Sequence, residues 1–240
     1  MEMNERVFEN VDALSQGALD ELLCILKDSI EERGRFVIGM GGGRTPAKMY
    51  ELWSQPKIAS AVPWNQVRMF WGDERYVPAN DPQSNYRMAK EMLISRVPIP
   101  AANVHPVPTD VAPQEACAEA YEAALKKFFG SEPPALDLNL LGLGGEGHTL
   151  SLFPGAPALE EKKKWVVAVQ VAAKPPRRVT LTLPVANQAR NTFFLVAGPD
   201  KRDIVAALRK DPGGPASQYP AARIQPLGGL KWFFDRAATS

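Results

Sequence analysis

The sequence predicts an α/β fold, a doubly wound and mostly parallel sheet with helices on both faces. Apolar runs of strand length alternate with amphipathic stretches of helical length along the 240 residues, which is typical of parallel sheets. Four of the runs end directly in polar or glycine-rich loops, as strands do at the binding edge of an open sheet. No internal repeat, low-complexity tract or linker interrupts the chain, so we expect one domain over residues 1–240.

The first elements follow from spacing and from helix-capping signals. Leucines recur at helical spacing over residues 18–33, which predicts an amphipathic helix. The run RFVIGM then predicts a short buried strand that leads into a glycine loop. We expect Thr45 to be the N-cap of the next helix and Pro46 to be its first residue.

The later elements continue the alternation. VRMFWG predicts a second strand, SNYRMAKEMLISRV a helix capped by Ser84, and PQEACAEAYEAALKKFF a further helix. Four further strands are predicted, in ALDLNLLGLG, KWVVAVQV, VTLTLP and TFFLVAG. The segment DKRDIVAALRK predicts a helix capped by Asp200. The aromatic segment KWFFDRAA is compatible with the core and with an interface alike, and aromatic residues of this kind are more often core.

Composition excludes several classes of function. The 28 Lys and Arg residues balance 27 Asp and Glu residues, so no strong field attracts nucleic acid or an acidic membrane. No apolar run approaches the roughly 20 residues of a membrane-spanning helix, and MEMNERVFEN lacks the regions of a signal peptide. Two cysteines and two histidines lie far apart, which predicts neither a disulfide framework nor a metal site. We expect a cytoplasmic protein.

The loops that follow four predicted strands indicate where a ligand binds. These loops occur in VIGMGGGRT, MFWGDER, LLGLGGEGH and LVAGPDK. The carboxyl ends of parallel strands meet at one edge of the sheet, and ligands bind in the crevice beyond that edge. The pattern therefore predicts a site that contains residues 42–45, 73–75 and 146–148 together with Lys201.

The stretch LNLLGLGGEGHTLSLFPG, residues 138–155, contains glycines at the spacing G-x-G-x-x-G. A dinucleotide site also needs a long helix after the third glycine and an acidic residue about 20 positions further on. Here FPGAP cuts any helix short, and the AAKPPRR that follows the next strand contains no carboxylate. The glycine spacing alone therefore does not predict a dinucleotide site.

The same stretch contains His148, two residues after Glu146. A lone histidine is more often structural, but this one lies in a glycine-flanked loop at the predicted edge. A carboxylate that accepts from one ring nitrogen fixes the tautomer and makes the other nitrogen a better base. We interpret His148 as a candidate base and His105, in NVHPVP, as a structural residue.

Other residues at this edge are compatible with anion binding. GMGGGRTP lacks the P-loop spacing, but it places a glycine loop and Arg44 before a helix N-terminus, which favours anions. The alternative is a tight turn that needs glycine only for its backbone. The segment WGDER is compatible with a solvated loop and also with a binding site. Lys201 is compatible with a surface position and also with a contact to phosphate.

Taken together and in order, these motifs resemble the 6-phosphogluconolactonases, in the superfamily that also holds glucosamine-6-phosphate deaminase. The similar segments are GGGRTP, WGDERYVP, SNYRMAKEML, GLGGEGHTLSLFPG, RRVTLTLP, FLVAGPDK, PAS and WFFDRAA. The resemblance implies a Rossmann-like, deaminase-type fold and hydrolysis of 6-phospho-D-glucono-1,5-lactone to 6-phospho-D-gluconate in the pentose phosphate pathway. It implies no cofactor and no metal, and a sugar-phosphate lactone as the partner. We expect a monomer or a homodimer.

The resemblance also implies roles for individual residues. His148 would be the general base that activates water, Glu146 would orient and polarise it, and Asp73 and Arg75 would contact the sugar hydroxyls. Backbone N–H groups near residues 144–147 are candidates for the oxyanion hole, and no G-x-S-x-G nucleophile motif occurs. The substrate's phosphate would bind to Gly42, Gly43, Arg44, Thr45, Arg178 and Lys201.

Two departures from the family pattern and two alternative functions are relevant. Glu146 stands where aspartate is usual, and Gly41 stands where serine is common.

Deaminases typically have tyrosine at the position of Arg75 and a Glu-Pro pair where this chain reads SLFPG, so both differences favour the lactonase. A sugar-phosphate sensor domain is disfavoured, since only about 35 residues precede the first predicted strand, the net charge is +1, and His148 would have no role.

Overall fold

The computed structural model describes residues 3–130, 132–210, 213–214 and 217–240. Its helices are α1 (Val11–Arg33), α2 (Arg44–Trp53), α3 (Pro56–Ala59), α4 (Asn85–Met92), α5 (Gln114–Phe129), α6 (Leu183–Ala186), α7 (Arg202–Lys210) and α8 (Arg236–Thr239). Its strands are β1 (Glu5–Phe8), β2 (Phe36–Met40), β3 (Val67–Trp71), β4 (Asp73–Arg75), β5 (Val104–His105), β6 (Leu138–Leu141), β7 (Val166–Gln170), β8 (Arg177–Leu181), β9 (Asn191–Val196) and β10 (Gly229–Asp235).

The central sheet is parallel, as the alternation of elements predicts. Seven strands of the described chain pair in the order β1-β10-β9-β6-β2-β3-β5, and every pairing among them is parallel. The chain builds outward from β2 to β3 and β5, and then returns to the other side of β2 with β6, β9 and β10. A switch point of this kind leaves a crevice at the carboxyl ends of β2 and β6.

Two predicted strands lie outside this sheet. KWVVAVQV and VTLTLP form β7 and β8, which pair antiparallel in a separate three-stranded sheet with the order β4-β8-β7. Only Gly72 separates β3 from β4, and a Cβ atom at Gly72 would lie 2.6 Å from Leu150 Cδ2. The glycine therefore lets the chain pass under Leu150 as it leaves the parallel sheet for the smaller one.

Both faces of the parallel sheet are covered by helices. Along β9, Phe193 and Leu195 belong to one hydrophobic cluster, whereas Phe194 and Val196 belong to another. The first cluster includes the buried leucines of α1, and the second includes the apolar residues of α7. This arrangement confirms the predicted doubly wound fold class, because successive residues of a strand point to opposite faces.

The aromatic C-terminal segment forms β10 and α8, and Trp232, Phe233 and Phe234 are buried. Of the two alternatives for this segment, the core is therefore the one observed for these aromatic residues. β10 pairs with β1 (Glu5–Phe8), so the first strand lies much earlier in the chain than the sequence pattern indicates. No helix in the part of the chain that the structure describes is long and apolar enough to cross a membrane.

One predicted helix cap is confirmed and two are wrong. Ser84 caps α4 by accepting a hydrogen bond from the backbone N–H of Arg87. The helix α2 begins at Arg44, behind Gly43, so Thr45 is not its N-cap. Asp200 lies inside the 3-10 turn Pro199–Lys201 that precedes α7 and does not cap that helix. In both cases a glycine with positive φ, 102° at Gly43 and 104° at Gly198, turns the chain before the polar residue is reached.

His105 lies on the edge strand β5 and packs against aromatic rings. Its ring stacks on Phe70 with 4.5 Å between the ring centroids, and lies 5.7 Å from the Phe128 ring. His105 Nε2 is buried and makes no hydrogen bond to any described residue. Burial, and secondly the positive charge of Arg68, lower the pKa of His105. The imidazole is therefore a structural ring that resists protonation.

This environment predicts a loss of stability in mild acid. Below about pH 6.5 the unfolded chain binds a proton at His105 that the folded protein resists. The free energy of unfolding therefore falls as the pH drops through that value, and the loss is complete below the folded-state pKa. Urea denaturation at about pH 7.5 and about pH 5.5 measures the effect. The decrease in the free energy of unfolding should be smaller for His105→Phe, which keeps a ring but does not titrate. Equal decreases for the wild type and this variant would contradict the prediction.

Candidate active site

A cleft of about 260 Å³ lies at the carboxyl ends of β2, β3 and β6, at the switch point of the sheet. All four predicted loops meet there, because Gly42, Asp73, His148 and Lys201 each belong to the lining of the cleft. The smaller sheet supplies the remaining wall. The polar side chains of the lining are those of Asp73, Arg75, Asn85, His148, Arg178 and Lys201.

The backbone of the loop after β6 is fixed by its own hydrogen bonds. Gly144 N donates to His148 O at 2.9 Å, and Gly147 N donates to Gly144 O at 3.0 Å. Thr149 Oγ1 donates to Gly142 O at 2.9 Å. A Cβ atom at Gly144 would lie 1.9 Å from His148 Nδ1, so glycine is required there for the imidazole to take its position.

The imidazole of His148 lies beside a carboxylate and against an aromatic ring. Its Nδ1 atom is 3.1 Å from Glu146 Oε1, although the two groups are not aligned for a hydrogen bond. Phe153 stacks on the imidazole with 4.1 Å between centroids and 15° between planes. The histidine side chain is 28% exposed and lines the cleft, so a substrate can reach a ring that its neighbours hold in place.

Glu146 lies beside the imidazole and not in the lining of the cleft. Burial raises the pKa of this carboxyl, but its own backbone N–H, His148 and Lys201 lower it further, and the net pKa is below the ordinary value. Glu146 is therefore ionised at neutral pH.

Asp73 is held through its backbone and through its side chain. Its Oδ2 atom accepts a hydrogen bond of 2.6 Å from Ser151 Oγ, and its backbone carbonyl accepts one of 3.0 Å from Asn85 Nδ2. Asn85 is 2% exposed, and its Oδ1 atom packs against Gly42 in the glycine loop after β2. Asn85 therefore connects the loops after β2 and β3.

Glu74 is a structural residue. It is 1% exposed, and its oxygens accept from the N–H groups of Arg75, Asn85 and Tyr86 at 2.7–2.8 Å and from Ser84 Oγ at 3.1 Å. Burial raises the pKa of Glu74, and the backbone donors oppose that shift. The residue joins β4 to the first turn of α4, while both of its neighbours in β4 line the cleft.

Arg75 and Arg178 lie directly opposite each other on β4 and β8. Arg178 is 7% exposed, and its Nε and Nη2 atoms donate to the carbonyl oxygens of Pro175 and Lys174. Neither arginine forms a salt bridge with a carboxylate of the described chain. Burial, and then the charge of Arg75, lower the pKa of Arg178. Like charges opposite each other are destabilising, so a bound anion would relieve the repulsion.

The remaining candidates for phosphate binding divide into two groups. Lys201 lines the cleft, with Nζ 3.0 Å from Asp200 Oδ2, and Gly42 lines it from the loop after β2. Gly43, Arg44 and Thr45 lie at the start of α2, outside the lining of the cleft. No side chain caps that helix, so its first N–H groups stay available to an anion.

Three residues of the site do not follow from the sequence reasoning, namely Asn85, Ser151 and Phe153. A signal existed for each: Asn85 follows the predicted cap Ser84, and the other two follow His148 within five residues of the same loop. Of the PAS segment, Pro215 and Ala216 lie outside the described residues.

Comparisons with known proteins agree on one family. The model of the family described as glucosamine-6-phosphate isomerases/6-phosphogluconolactonase matches residues 9–232. A protein of Synechocystis named 6-phosphogluconolactonase is 42% identical, with 90% of each chain covered. One of Nostoc with the same name is 40% identical and covers 99% of this chain and 98% of its own. The solved 6-phosphogluconolactonase of Thermotoga maritima has a TM-score of 0.84 at 30% identity, covering 98% of this chain and 100% of its own. The chain therefore belongs to the glucosamine-6-phosphate isomerase/6-phosphogluconolactonase family.

Proposed function

We propose that this protein is a 6-phosphogluconolactonase, which hydrolyses 6-phospho-D-glucono-1,5-lactone to 6-phospho-D-gluconate in the oxidative branch of the pentose phosphate pathway. The observation that carries the proposal is that a candidate base and three cationic side chains line the same cleft. An imidazole with a neighbouring carboxylate lies in the same small space as Arg75, Arg178 and Lys201. The first group suits hydrolysis of an ester, and the cations suit an anionic substrate.

His148 acts as the general base in the proposed reaction. The neutral imidazole takes a proton from water while the water oxygen attacks the lactone carbonyl carbon. The tetrahedral intermediate then collapses, the bond from that carbon to the ring oxygen breaks, and the proton passes from the imidazolium to the ring oxygen. Glu146 stabilises the imidazolium between these steps. A positioned base of this kind contributes roughly 10²–10⁴-fold in rate.

The oxyanion needs hydrogen-bond donors near the imidazole. Two of the candidate N–H groups, those of Gly144 and Gly147, already donate within the loop. Gly145 is therefore the stronger candidate among the glycines of this loop. A lactone is an activated acyl group, so direct attack by water needs no serine nucleophile.

The rest of the cleft binds the substrate. Arg178, Lys201 and the N–H groups at Gly42 and Gly43 receive the phosphate, and Asp73 and Arg75 contact the sugar hydroxyls. Arg44 and Thr45 extend the phosphate site at the first turn of α2. Arg178 supports this arrangement, because its guanidinium donates to two backbone carbonyls and forms no salt bridge with a carboxylate of the described chain, although Asp73 and Glu74 act on its charge from further away.

We further propose that residues 1–240 form one cytoplasmic domain, a monomer or a homodimer, whose partner is a small sugar-phosphate lactone. The net charge of +1 supports the expectation that neither nucleic acid nor a membrane is a partner. Both hydrophobic clusters pack on the same parallel sheet, which supports a single domain.

The direct test is hydrolysis of freshly generated 6-phosphoglucono-1,5-lactone, coupled to 6-phosphogluconate dehydrogenase. These lactones open spontaneously, so the uncatalysed rate is measured in parallel and subtracted. Clear acceleration by the protein is the expected result. A rate equal to the spontaneous one would overturn the proposal, and deamination of glucosamine 6-phosphate would be assayed next.

A further inference from the structure

We propose that Ser151 is a positioning residue for substrate recognition, which holds the Asp73 carboxylate so that one of its oxygens is presented to the substrate's hydroxyl groups. The inference rests on the proposed function and extends it to a residue outside the lining of the cleft. Ser151 Oγ lies 2.6 Å from Asp73 Oδ2. That distance is typical of a strong hydrogen bond from a hydroxyl to a carboxylate.

The two oxygens of Asp73 have different surroundings. Ser151 is 1% exposed and lies outside the lining of the cleft, so one oxygen of Asp73 is occupied by a buried side chain. Asp73 itself lines the cleft, and its Oδ1 atom accepts no hydrogen bond from the described residues. An ionised carboxylate is purely an acceptor. It therefore suits the hydroxyl groups of a sugar lactone, which donate.

Ser151 is itself fixed to the same small sheet. Its backbone N–H donates to Thr180 Oγ1 at 3.2 Å, and Thr180 lies directly opposite Asp73 in the pairing of β4 with β8. The serine therefore contacts both members of one cross-strand pair. A hydroxyl anchored in this way fixes the side-chain rotation of the aspartate.

A strained residue brings Ser151 to this position. Leu150 has φ 55°, and it is the only non-glycine residue with positive φ in the described part of the chain. Its side chain packs over Gly72, the residue before Asp73. Strain of this kind persists where the surroundings hold it, and it concentrates at functional sites. Here it turns the loop so that His148 lines the cleft while Ser151 reaches β4.

One loop therefore sets two positions, that of the base and that of the hydroxyl acceptor. His148 and Ser151 are three residues apart, and the turn between them is fixed by the Thr149–Leu152 bridge. The separation of the imidazole and the Asp73 carboxylate is consequently set by this loop. Such a pair selects lactones whose hydroxyl groups lie at a defined distance from the carbonyl carbon.

The test is a double-mutant cycle on the full-length enzyme, with KM and kcat for 6-phosphoglucono-1,5-lactone as readouts. Ser151→Ala should raise KM roughly tenfold, with a smaller effect on kcat, because a released carboxylate is no longer aimed at the substrate. In the Asp73→Ala background, the same substitution should change KM by less than about twofold. Ser15→Ala is the control, since Ser15 is also fully buried, lies on α1 and has no hydrogen-bond partner for its hydroxyl among the described residues.

The outcomes separate the two proposals. Additive effects of the two substitutions on KM, or an unchanged KM for Ser151→Ala, would overturn the positioning role while leaving the lactonase intact. A wild-type enzyme without activity would overturn the proposed function and this inference with it. Thermal unfolding checks that each variant is folded. If Ser151→Ala does not fold, Ser151→Cys replaces it in the cycle, since it keeps a side chain of the same branching but with a larger atom and a weaker donor.

Discussion

Replacing His148 with asparagine should lower kcat for lactone hydrolysis by about 10²–10⁴-fold, with less than about a threefold change in KM. The substitution removes the proposed base and keeps a polar side chain against the ring of Phe153. Substrate affinity should survive because the cations proposed to bind the phosphate belong to other elements, Arg178 to β8 and Lys201 to the turn before α7. The coupled assay, corrected for spontaneous opening, measures both constants.

His105→Asn is the matched control for this experiment. It removes the other histidine of the chain, which lies on the edge strand β5 and outside the lining of the cleft. We expect its kcat to stay within about twofold of the wild-type value. If His148→Asn keeps more than half of the wild-type kcat, another group in the cleft must take the proton, and Asp73 becomes the candidate.

The place of the site follows from the sequence because it depends on the strands being parallel, which the alternation of elements predicts. Four apolar runs that end in polar loops are neighbours in the sheet, as β9, β6, β2 and β3. Parallel strands bring such loops together whatever the details of packing. The pairing of Glu146 with His148 is equally local, since two residues in one loop cannot be far apart.

Other features depend on contacts that local patterns do not encode. The strands β7 and β8 have the composition of buried strands, but Gly72 diverts the chain so that they pair with β4 in a separate antiparallel sheet. The roles within WGDER follow from that pairing, because alternate residues of a strand point in opposite directions. Asp73 and Arg75 therefore line the cleft, whereas Glu74 is buried against α4.

Arg178→Met should raise KM for the phosphorylated lactone about 10- to 100-fold, with a smaller effect on kcat. Arg178 is 7% exposed, its guanidinium donates to two backbone carbonyls, and the residue lies opposite Arg75 in the pairing of β4 with β8. Methionine keeps the unbranched apolar stem but loses the charge and the donors that a phosphate requires. The phosphate is remote from the reacting carbonyl. Weaker binding of the phosphate should therefore appear mainly as a higher KM.

Two comparisons distinguish recognition of phosphate from a structural role of Arg178. Unphosphorylated glucono-1,5-lactone lacks the group that we propose Arg178 to bind, so its KM should change by less than about threefold. Arg177→Met alters the preceding residue of β8, whose guanidinium lies outside the cleft lining and 5.1 Å from the Tyr76 ring, and should leave KM for both lactones unchanged. Equal increases in KM for the two lactones would mean that Arg178 supports the shape of the cleft. An increase in KM confined to the phosphorylated lactone would show that Arg178 recognises the phosphate.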